Sequence, residues 1–403
     1  MEYRMRLRHR TLFGASLALC GLVLTAMPAL SAPAEGLILS AGSVGAITDR
    51  YVVVLKDGAG QAAADLTGTY GGTVHSTYTK ALNGFSAAMT ATQARRLAAD
   101  PRVAFVEQDA VISIAGTQTN PPWGLDRIDQ AGLPLNNTYN YDTDGSTATS
   151  YVLDTGIRVS HQEFGGRASH GYDFIDNDTD ATDCHGHGTH VAGTIGGSTF
   201  GVAKKTKLVA VRVLNCDGMG STSAVVGGID WVAKNAVKPA VANMSLGRVG
   251  RDGAQEKAVQ NAIASGVTFV LAAGNSGVDA CGFTPAATPE AITVGATQAD
   301  DRRGFWGSQS QSSNYGSCVD IWAPGTNTQS ARHSSDTGSA VMSGTSMAAP
   351  HVAGAVARYL QANPTATPKQ VGDALTATAI RNKLTDIRQG SPNLLLHTGT
   401  SAG

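Results

Sequence analysis

Three short stretches carry side chains that together could attack a carbonyl carbon. In Gly344-Thr345-Ser346-Met347-Ala348-Ala349-Pro350-His351-Val352-Ala353-Gly354 a small-residue turn places one serine at the mouth of an almost wholly apolar helix. Such a helix start offers a hydroxyl and unpaired backbone N–H groups together, at the positive end of the macrodipole, where a nucleophile and the anion it creates are both stabilised. A serine hydroxyl is inert near neutral pH until a base takes its proton and a third group orients that base. Tyr151-Val152-Leu153-Asp154-Thr155-Gly156 supplies an acid at the end of a short apolar strand. His185-Gly186-His187-Gly188-Thr189-His190-Val191-Ala192-Gly193 supplies imidazoles at the start of a second small-residue helix. On spacing alone His185, His187 and His190 all compete for the role of base.

The chain order Asp, His, Ser is that of the subtilisins and differs from those of chymotrypsin and the α/β-hydrolases. With these motifs the chain resembles the subtilisin-like serine proteases, in the branch of proteinase K and aqualysin, from Thr117 to about Leu396. The resemblance selects His187, in His-Gly-Thr-His, as base and later acid. It makes Ser346 the nucleophile that forms an acyl-enzyme and Asp154 the acceptor of the imidazole N–H, and it leaves His190 structural. It also implies that Asn275, in Leu271-Ala272-Ala273-Gly274-Asn275-Ser276-Gly277, supplies a side-chain N–H to the oxyanion, with the Ser346 backbone N–H as second donor. Gly218-Met219-Gly220-Ser221 and Ser245-Leu246-Gly247 resemble the segments that flank an extended substrate held as an added strand. The first specificity pocket would be formed by Ser245, Leu246 and Gly247 with Ala272, Ala273 and Gly274; its small uncharged walls favour large apolar side chains over Lys or Arg. The implied activity is hydrolysis of peptide bonds in protein or peptide substrates by a serine endopeptidase of broad specificity, with no cofactor for the chemistry.

The rest of the chain must build and deliver this site. Its 403 residues suffice for a full α/β core beside a smaller unit, and with 15% charged residues and 48 glycines they favour close backbone packing. A formal net charge of -1 argues against nucleic acid or an anionic membrane surface as the main partner. Arg4, Arg6, Arg8 and Arg10 precede an apolar run from Leu12 to Ala32, the pattern of a secretory signal cleaved near Ala32 or Ala34. The product is expected to be extracellular, free of membrane once the signal is removed, and monomeric. Cys20 falls inside the signal. The other cysteines, Cys184, Cys216, Cys281 and Cys318, are even in number and indicate two disulfides in an exported chain. Count alone leaves the pairing open; the resemblance implies Cys184 with Cys216 and Cys281 with Cys318.

The expected domains are a signal at 1–34, a linker at 35–48, an inhibitory propeptide at 49–115, a peptidase domain at 116–398 and a tail at 399–403. Within 49–115, strand runs at Tyr51 to Leu55, Ala81 to Met89 and Val103 to Glu107 alternate with helical runs, among them Ala91 to Ala99 with Thr90 as N-cap and Asp100-Pro101 as stop. This small α+β unit resembles the propeptide of the family, which assists folding and then inhibits the enzyme intramolecularly, so the chain would mature by its own cleavage near Ile114 to Thr117. Beyond it, strands are predicted at Tyr151 to Leu153, Leu208 to Leu214, Val241 to Met244, Val267 to Ala272 and Ile292 to Val294. Helices are predicted at His187 to Ile195, Ser223 to Asn235, Gln255 to Ser265 and Ser346 to Gln361. Continuous apolar strands separated by helices imply an α/β fold, doubly wound, with a mostly parallel sheet covered by helices on both faces and the site at the carboxyl ends of strands.

The run Asp173-Phe174-Ile175-Asp176-Asn177-Asp178-Thr179-Asp180-Ala181-Thr182-Asp183 concentrates oxygen ligands suited to calcium. Resemblance to calcium-bound relatives implies structural calcium at Asp173 and Asp178, a second site of the Pro289 and Ala291 carbonyls with Asp320, and a third at Asp126, Asp129 and Gln130. Asn136 and Thr138 stand where relatives of the third site carry Asp and Asn. Gly304 to Ser312 is longer than the family's usual turn and is expected to be a mobile surface loop. Two other classes were weighed. A metal-dependent hydrolase is suggested by Cys184, His185, His187 and His190, but the chain lacks His-Glu-x-x-His and Cys184 is wanted for a disulfide. An inactive binding protein on the same fold is disfavoured because all four catalytic positions are filled.

Overall fold

The computed structural model describes residues 33–42, 46–59, 62–110, 116–308 and 310–399. The expected signal, apart from residues 33 and 34, and residues 111–115 of the expected maturation region lie outside them. Among the described residues, no helix is long and apolar enough to cross a membrane.

The first unit runs β1 (Ile38–Leu39), β2 (Ala46–Leu55), α1 (Ala63–Tyr70), β3 (Thr73–Tyr78), β4 (Gly84–Ala88), α2 (Ala91–Ala98) and β5 (Val103–Ala110), with sheet order β1-β5-β2-β4-β3. Alternate residues of β2, Tyr51, Val53 and Leu55, point into a core shared with Leu66, Phe85 and Leu97. Thr90 starts α2 with a capping box: its hydroxyl accepts from the Gln93 N–H while its own N–H donates to Gln93 Oε1. β3 is a partly exposed edge strand without alternation, which is why its period left no mark in the sequence.

The second unit runs β6 (Gly116–Thr119), α3 (Trp123–Ile128), β7 (Thr138–Tyr141), β8 (Thr149–Asp154), β9 (Ala168–Asp173), α4 (His187–Gly196), β10 (Lys207–Arg212), α5 (Thr222–Asn235), β11 (Ala240–Met244), β12 (Arg248–Val249), α6 (Gly253–Ala264), β13 (Thr268–Ala272), β14 (Phe283–Thr284), β15 (Ile292–Thr297), β16 (Ile321–Pro324), β17 (Thr328–Ala331), β18 (Ser339–Met342), α7 (Thr345–Ala362), α8 (Pro368–Thr378), β19 (Ile380–Arg381) and β20 (Leu394–Leu395). Its main sheet has the order β19-β20-β16-β15-β13-β11-β8-β10-β9, parallel throughout except between β19 and β20. β8 shows the double winding directly. Val152 faces a core built with α4 and α7, whereas Tyr151 and Leu153 face a second core built with α5 and α6. Burial on both sides explains why β8, β11 and β13 read as unbroken apolar runs. β9 and β10 lie on one side of β8 and β11, β13 and β15 on the other, so the winding reverses at β8 and opens a crevice at its carboxyl end, where Asp154 sits.

Two disulfides, Cys184–Cys216 and Cys281–Cys318, close segments of 32 and 37 residues. The described residues of the Gly304 to Ser312 segment are tied to one another and to the core. Phe305 and Ser312 form an antiparallel bridge, the Trp306 N–H donates to the Gln311 carbonyl, and the Trp306 ring packs against the main core. An indole that can bury itself gives a loop an anchor that composition alone does not reveal.

Closing a loop of this length removes about 3 to 4 kcal/mol of unfolded-chain entropy. Replacing Cys184 and Cys216 with serine is therefore expected to lower the unfolding free energy by about that amount, read as a fall in the guanidinium midpoint. An unchanged midpoint would mean that the bridge restrains nothing the fold does not already hold.

Candidate active site

β8 delivers Asp154 to the crevice fully buried, and α4 begins there with His187 as its first residue. The approach depends on Gly188: a Cβ at that position would collide with the Gly156 carbonyl oxygen and touch Asp154 Cβ. The Gly188 N–H donates to Thr155 Oγ1, and the Thr155 hydroxyl donates to Asp183. Asp183 is buried and accepts from the Thr155 hydroxyl, the His185 and Gly186 N–H groups, and the N–H and hydroxyl of Thr189. It thereby ties the loop ahead of α4 to the helix's first turn. With the helix so fixed, His187 Nδ1–H donates to Asp154 Oδ1 at 2.7 Å, and the Thr155 N–H donates to the same oxygen at 2.7 Å. Burial pulls the His187 pKa down, but the Asp154 charge and hydrogen bond, helped by Asp183, outweigh it and leave it above the ordinary 6.5. His190 and His351 behave differently: both are buried, bonded to backbone carbonyls and pushed down to about 4, so they stay neutral.

α7 presents Ser346 in its first turn. Pro350, inside this helix, has no N–H to give the carbonyl four residues before it, which is that of Ser346. The Ser245 hydroxyl fills the gap, donating to the Ser346 carbonyl at 2.8 Å and accepting from Asn243 Nδ2 at 3.0 Å. Ser346 Oγ in turn donates to the Ser245 carbonyl at 3.2 Å, so here the hydroxyl is turned to Ser245 rather than to the imidazole. Asn275 is oriented without ambiguity, because its Oδ1 accepts from both the N–H and the hydroxyl of Thr345 at 2.9 Å. That leaves the Asn275 Nδ2 hydrogens free for the same turn.

A groove of about 530 Å³ runs past His187 and Ser245, and neither Ser346 nor Asn275 is among its lining. His187, Gly218, Gly220, Ser245, Leu246 and Gly247 line it, as do His185 and Arg248. Ala272, Ala273 and Gly274 are not among its lining; Ala272 and Ala273 are buried at the end of β13.

The Subtilase family profile matches residues 145–399, and that of Peptidase inhibitor I9 matches residues 50–115. The chain belongs to the subtilase family. It is 49% identical to an alkaline serine exoprotease A of Vibrio alginolyticus, over 89% of this chain and 68% of that protein. It is 47% identical to an extracellular serine proteinase of a Thermus species, over 92% of this chain and 94% of that one. A solved cold-adapted subtilisin-like serine proteinase matches with a TM-score of 0.67 and 54% identity, over 70% of this chain and 100% of that structure. This subtilase is accordingly a serine endopeptidase made as a zymogen, with an I9-type propeptide ahead of the peptidase.

The residues expected to hold calcium fare unequally in this subtilase. Asp320 lines one cavity of about 440 Å³ with Pro289 and Ala291. Burial pushes its carboxyl up to about 6, the mark of an anion short of positive charge. Asp129 keeps one buried carboxylate oxygen without a partner, and burial raises its pKa too, with the Asp126 charge adding to the shift. Asp126 itself accepts from the Asn136 and Asn137 N–H groups, and Gln130 Oε1 accepts from the Asn136 N–H. Asp173 differs from the expectation. Its Oδ2 accepts from Arg212 at 2.6 Å and its Oδ1 from the Ile175 and Asp176 N–H groups, while Asp178 caps the Asp180 N–H. Arg212 thus supplies Asp173 with positive charge from within the chain. Among the described residues no cluster of three or more His, Cys, Asp or Glu side chains converges on one point.

Sequence reasoning missed Thr155, Asp183, Ser245 as a support of Ser346, and Thr345. Asp183 read as one more oxygen in an acidic run, and only the fold shows that backbone donors surround it.

The raised His187 pKa sets the sign of the pH dependence. The neutral imidazole is the form that accepts a proton, so kcat/KM for a chromogenic peptide is expected to rise with pH, with its half-point above 6.5. Asp154→Asn is expected to lower kcat about 10⁴-fold by favouring the wrong tautomer. A half-point well below 6.5, or an Asp154→Asn enzyme of ordinary rate, would contradict the arrangement.

Proposed function

We propose that Ser346 is the nucleophile, His187 the base and then the acid, Asp154 the group that orients and stabilises His187, and Asn275 Nδ2 with the Ser346 N–H the oxyanion donors. The observation that carries this reading is the 2.7 Å bond from His187 Nδ1–H to buried Asp154, which directs the other ring nitrogen, Nε2, away from the carboxylate in a histidine lining the groove beside Ser245. Substrate lies extended between Gly218–Ser221 and Ser245–Gly247. The Ser346 hydroxyl then turns from the Ser245 carbonyl to Nε2, gives up its proton and attacks the peptide carbonyl. Asp154 stabilises the imidazolium, and the oxyanion takes the amide N–H of Asn275; loss of one such donor costs about 10² to 10³ in kcat. His187 protonates the leaving amine, and water releases the acyl group by the same steps. The uncharged Ser245, Leu246 and Gly247 support broad specificity with an apolar preference in the first pocket.

The amino-terminal pattern supports export, and the product is proposed to be a soluble extracellular monomer that carries its propeptide as an intramolecular inhibitor. Removal of residues up to the region of Ile114 to Thr117 would leave β6, paired with β7, as the amino-terminal strand of the mature enzyme. Structural calcium is proposed at Asp320 with the Pro289 and Ala291 carbonyls, and at Asp126, Asp129 and Gln130. Asp173 and Asp178 are left out because Arg212 neutralises Asp173.

Ser346→Ala is expected to accumulate full-length precursor in a protease-free host, read as intact mass; normal processing of that variant would contradict the assignment. A chelator is expected to lower the melting temperature, since calcium at 100 times its dissociation constant contributes about 2.7 kcal/mol. Without the ion, the fold should lose stability as pH rises from 3.8 to about 6, because buried Asp320 must then ionise; added calcium should abolish that loss. Melting curves indifferent to chelator across this range would contradict the calcium sites.

A further inference from the structure

Among the described residues three helices carry glutamine at the third helical position, and one of the three is built differently. At α2 and α8 the N-cap N–H of Thr90 and Thr367 donates at 2.8 Å to the side-chain oxygen of Gln93 and Gln370, closing a capping box. At α6 the N-cap is Asp252, whose carboxylate accepts the Gln255 N–H as expected. Its own N–H, however, donates to Thr284 Oγ1 at 2.8 Å. Asp252 Oδ2 is also engaged, by the Thr222 hydroxyl at 2.8 Å and by Arg248 at 3.2 Å. The Gln255 amide is thereby excluded from the cap. It is only 4% exposed, it lines the substrate groove, and its Nε2 is buried with no hydrogen-bond partner among the described residues. A buried amide donor left in this state is destabilising, and an incoming acceptor would relieve it.

Val225 and Leu246 line the same groove. Apolar side chains together with an unsatisfied N–H fit a side chain with a methylene stem and a terminal oxygen. We propose that Gln255 is a specificity-determining residue, donating from Nε2 to the side-chain oxygen of a glutamine or glutamate in the substrate. The inference rests on the reading of this groove as the peptide-binding site. It adds to that reading a polar selection in a groove whose first pocket favours apolar side chains.

The test is a positional-scanning set of internally quenched peptides, cleaved by the mature wild type, Gln255→Leu and Gln255→Glu. At one substrate position the wild type should prefer glutamine and glutamate over leucine by about tenfold in kcat/KM, the equivalent of about 1.4 kcal/mol. Gln255→Leu should reverse that order at the same position alone. Gln255→Glu should lose glutamate and keep glutamine, whose amide can donate to the new carboxylate. That result would separate carboxamide from carboxylate recognition. Matching near-UV circular dichroism spectra for the three proteins, and matching active-site titres with a sulfonyl fluoride, show that the variants are folded. Identical profiles for wild type and Gln255→Leu, or a wild type that ranks leucine above both glutamine and glutamate, would overturn the inference while leaving the peptidase intact. Failure of the wild type to cleave any peptide would instead overturn the reading of the groove, and this inference with it.

Discussion

The bond between His187 and Asp154 is the constraint on which the rest of the site depends. A carboxylate with no solvent exposure at the end of a central strand is costly unless donors surround it, and here the Thr155 N–H and the imidazole N–H share one oxygen while the other has no partner. The imidazolium, when it forms, gains from that concentrated charge. Gly188 permits the approach, because any larger residue would hold α4 away from the turn after β8. Asp183 keeps the approach in place from below, and Cys184 begins the disulfide that fastens the same loop to the segment after β10.

The second helix solves a different problem. An apolar helix that must begin beside solvent and carry a proline in its second turn has both free N–H groups and a free carbonyl near its start. The Thr345 N–H goes to Asn275 and the Ser346 carbonyl to the Ser245 hydroxyl. Each bond that completes the helix also positions a group proposed for the chemistry, since Asn275 is turned by the one and the Ser346 backbone held by the other. The folding requirement and the catalytic requirement are met by the same contacts.

Much of this was legible in the sequence, and the reasons are physical. β8, β11 and β13 are buried on both faces, so they appear as apolar runs; Gly-Thr-Ser before an apolar helix and two separated motifs in a known order mark the chemistry. What escaped the sequence depends on contacts between residues far apart. Ser245 and Ser346 are 101 positions apart, and nothing local marks Ser245 as the donor that compensates for Pro350. Asp173 looked like a ligand because its neighbours are acidic, whereas Arg212, 39 positions away, is its partner. Trp306 looked like part of an exposed loop because the core it enters is assembled from other segments. Gln255 looked like an ordinary first-turn residue, and only the competing bond from Asp252 to Thr284 releases it into the groove.

The most direct measurement is the rate and position of covalent labelling by a sulfonyl fluoride, followed across pH in the wild type and in Asp154→Asn, with the adduct located by peptide mapping. A single adduct on Ser346, forming faster as pH rises through a value above 6.5 and nearly abolished in Asp154→Asn, is what a coupled carboxylate, imidazole and hydroxyl must give. Labelling of another residue, or of Ser346 at the same rate in both proteins, would show that the three groups do not act together.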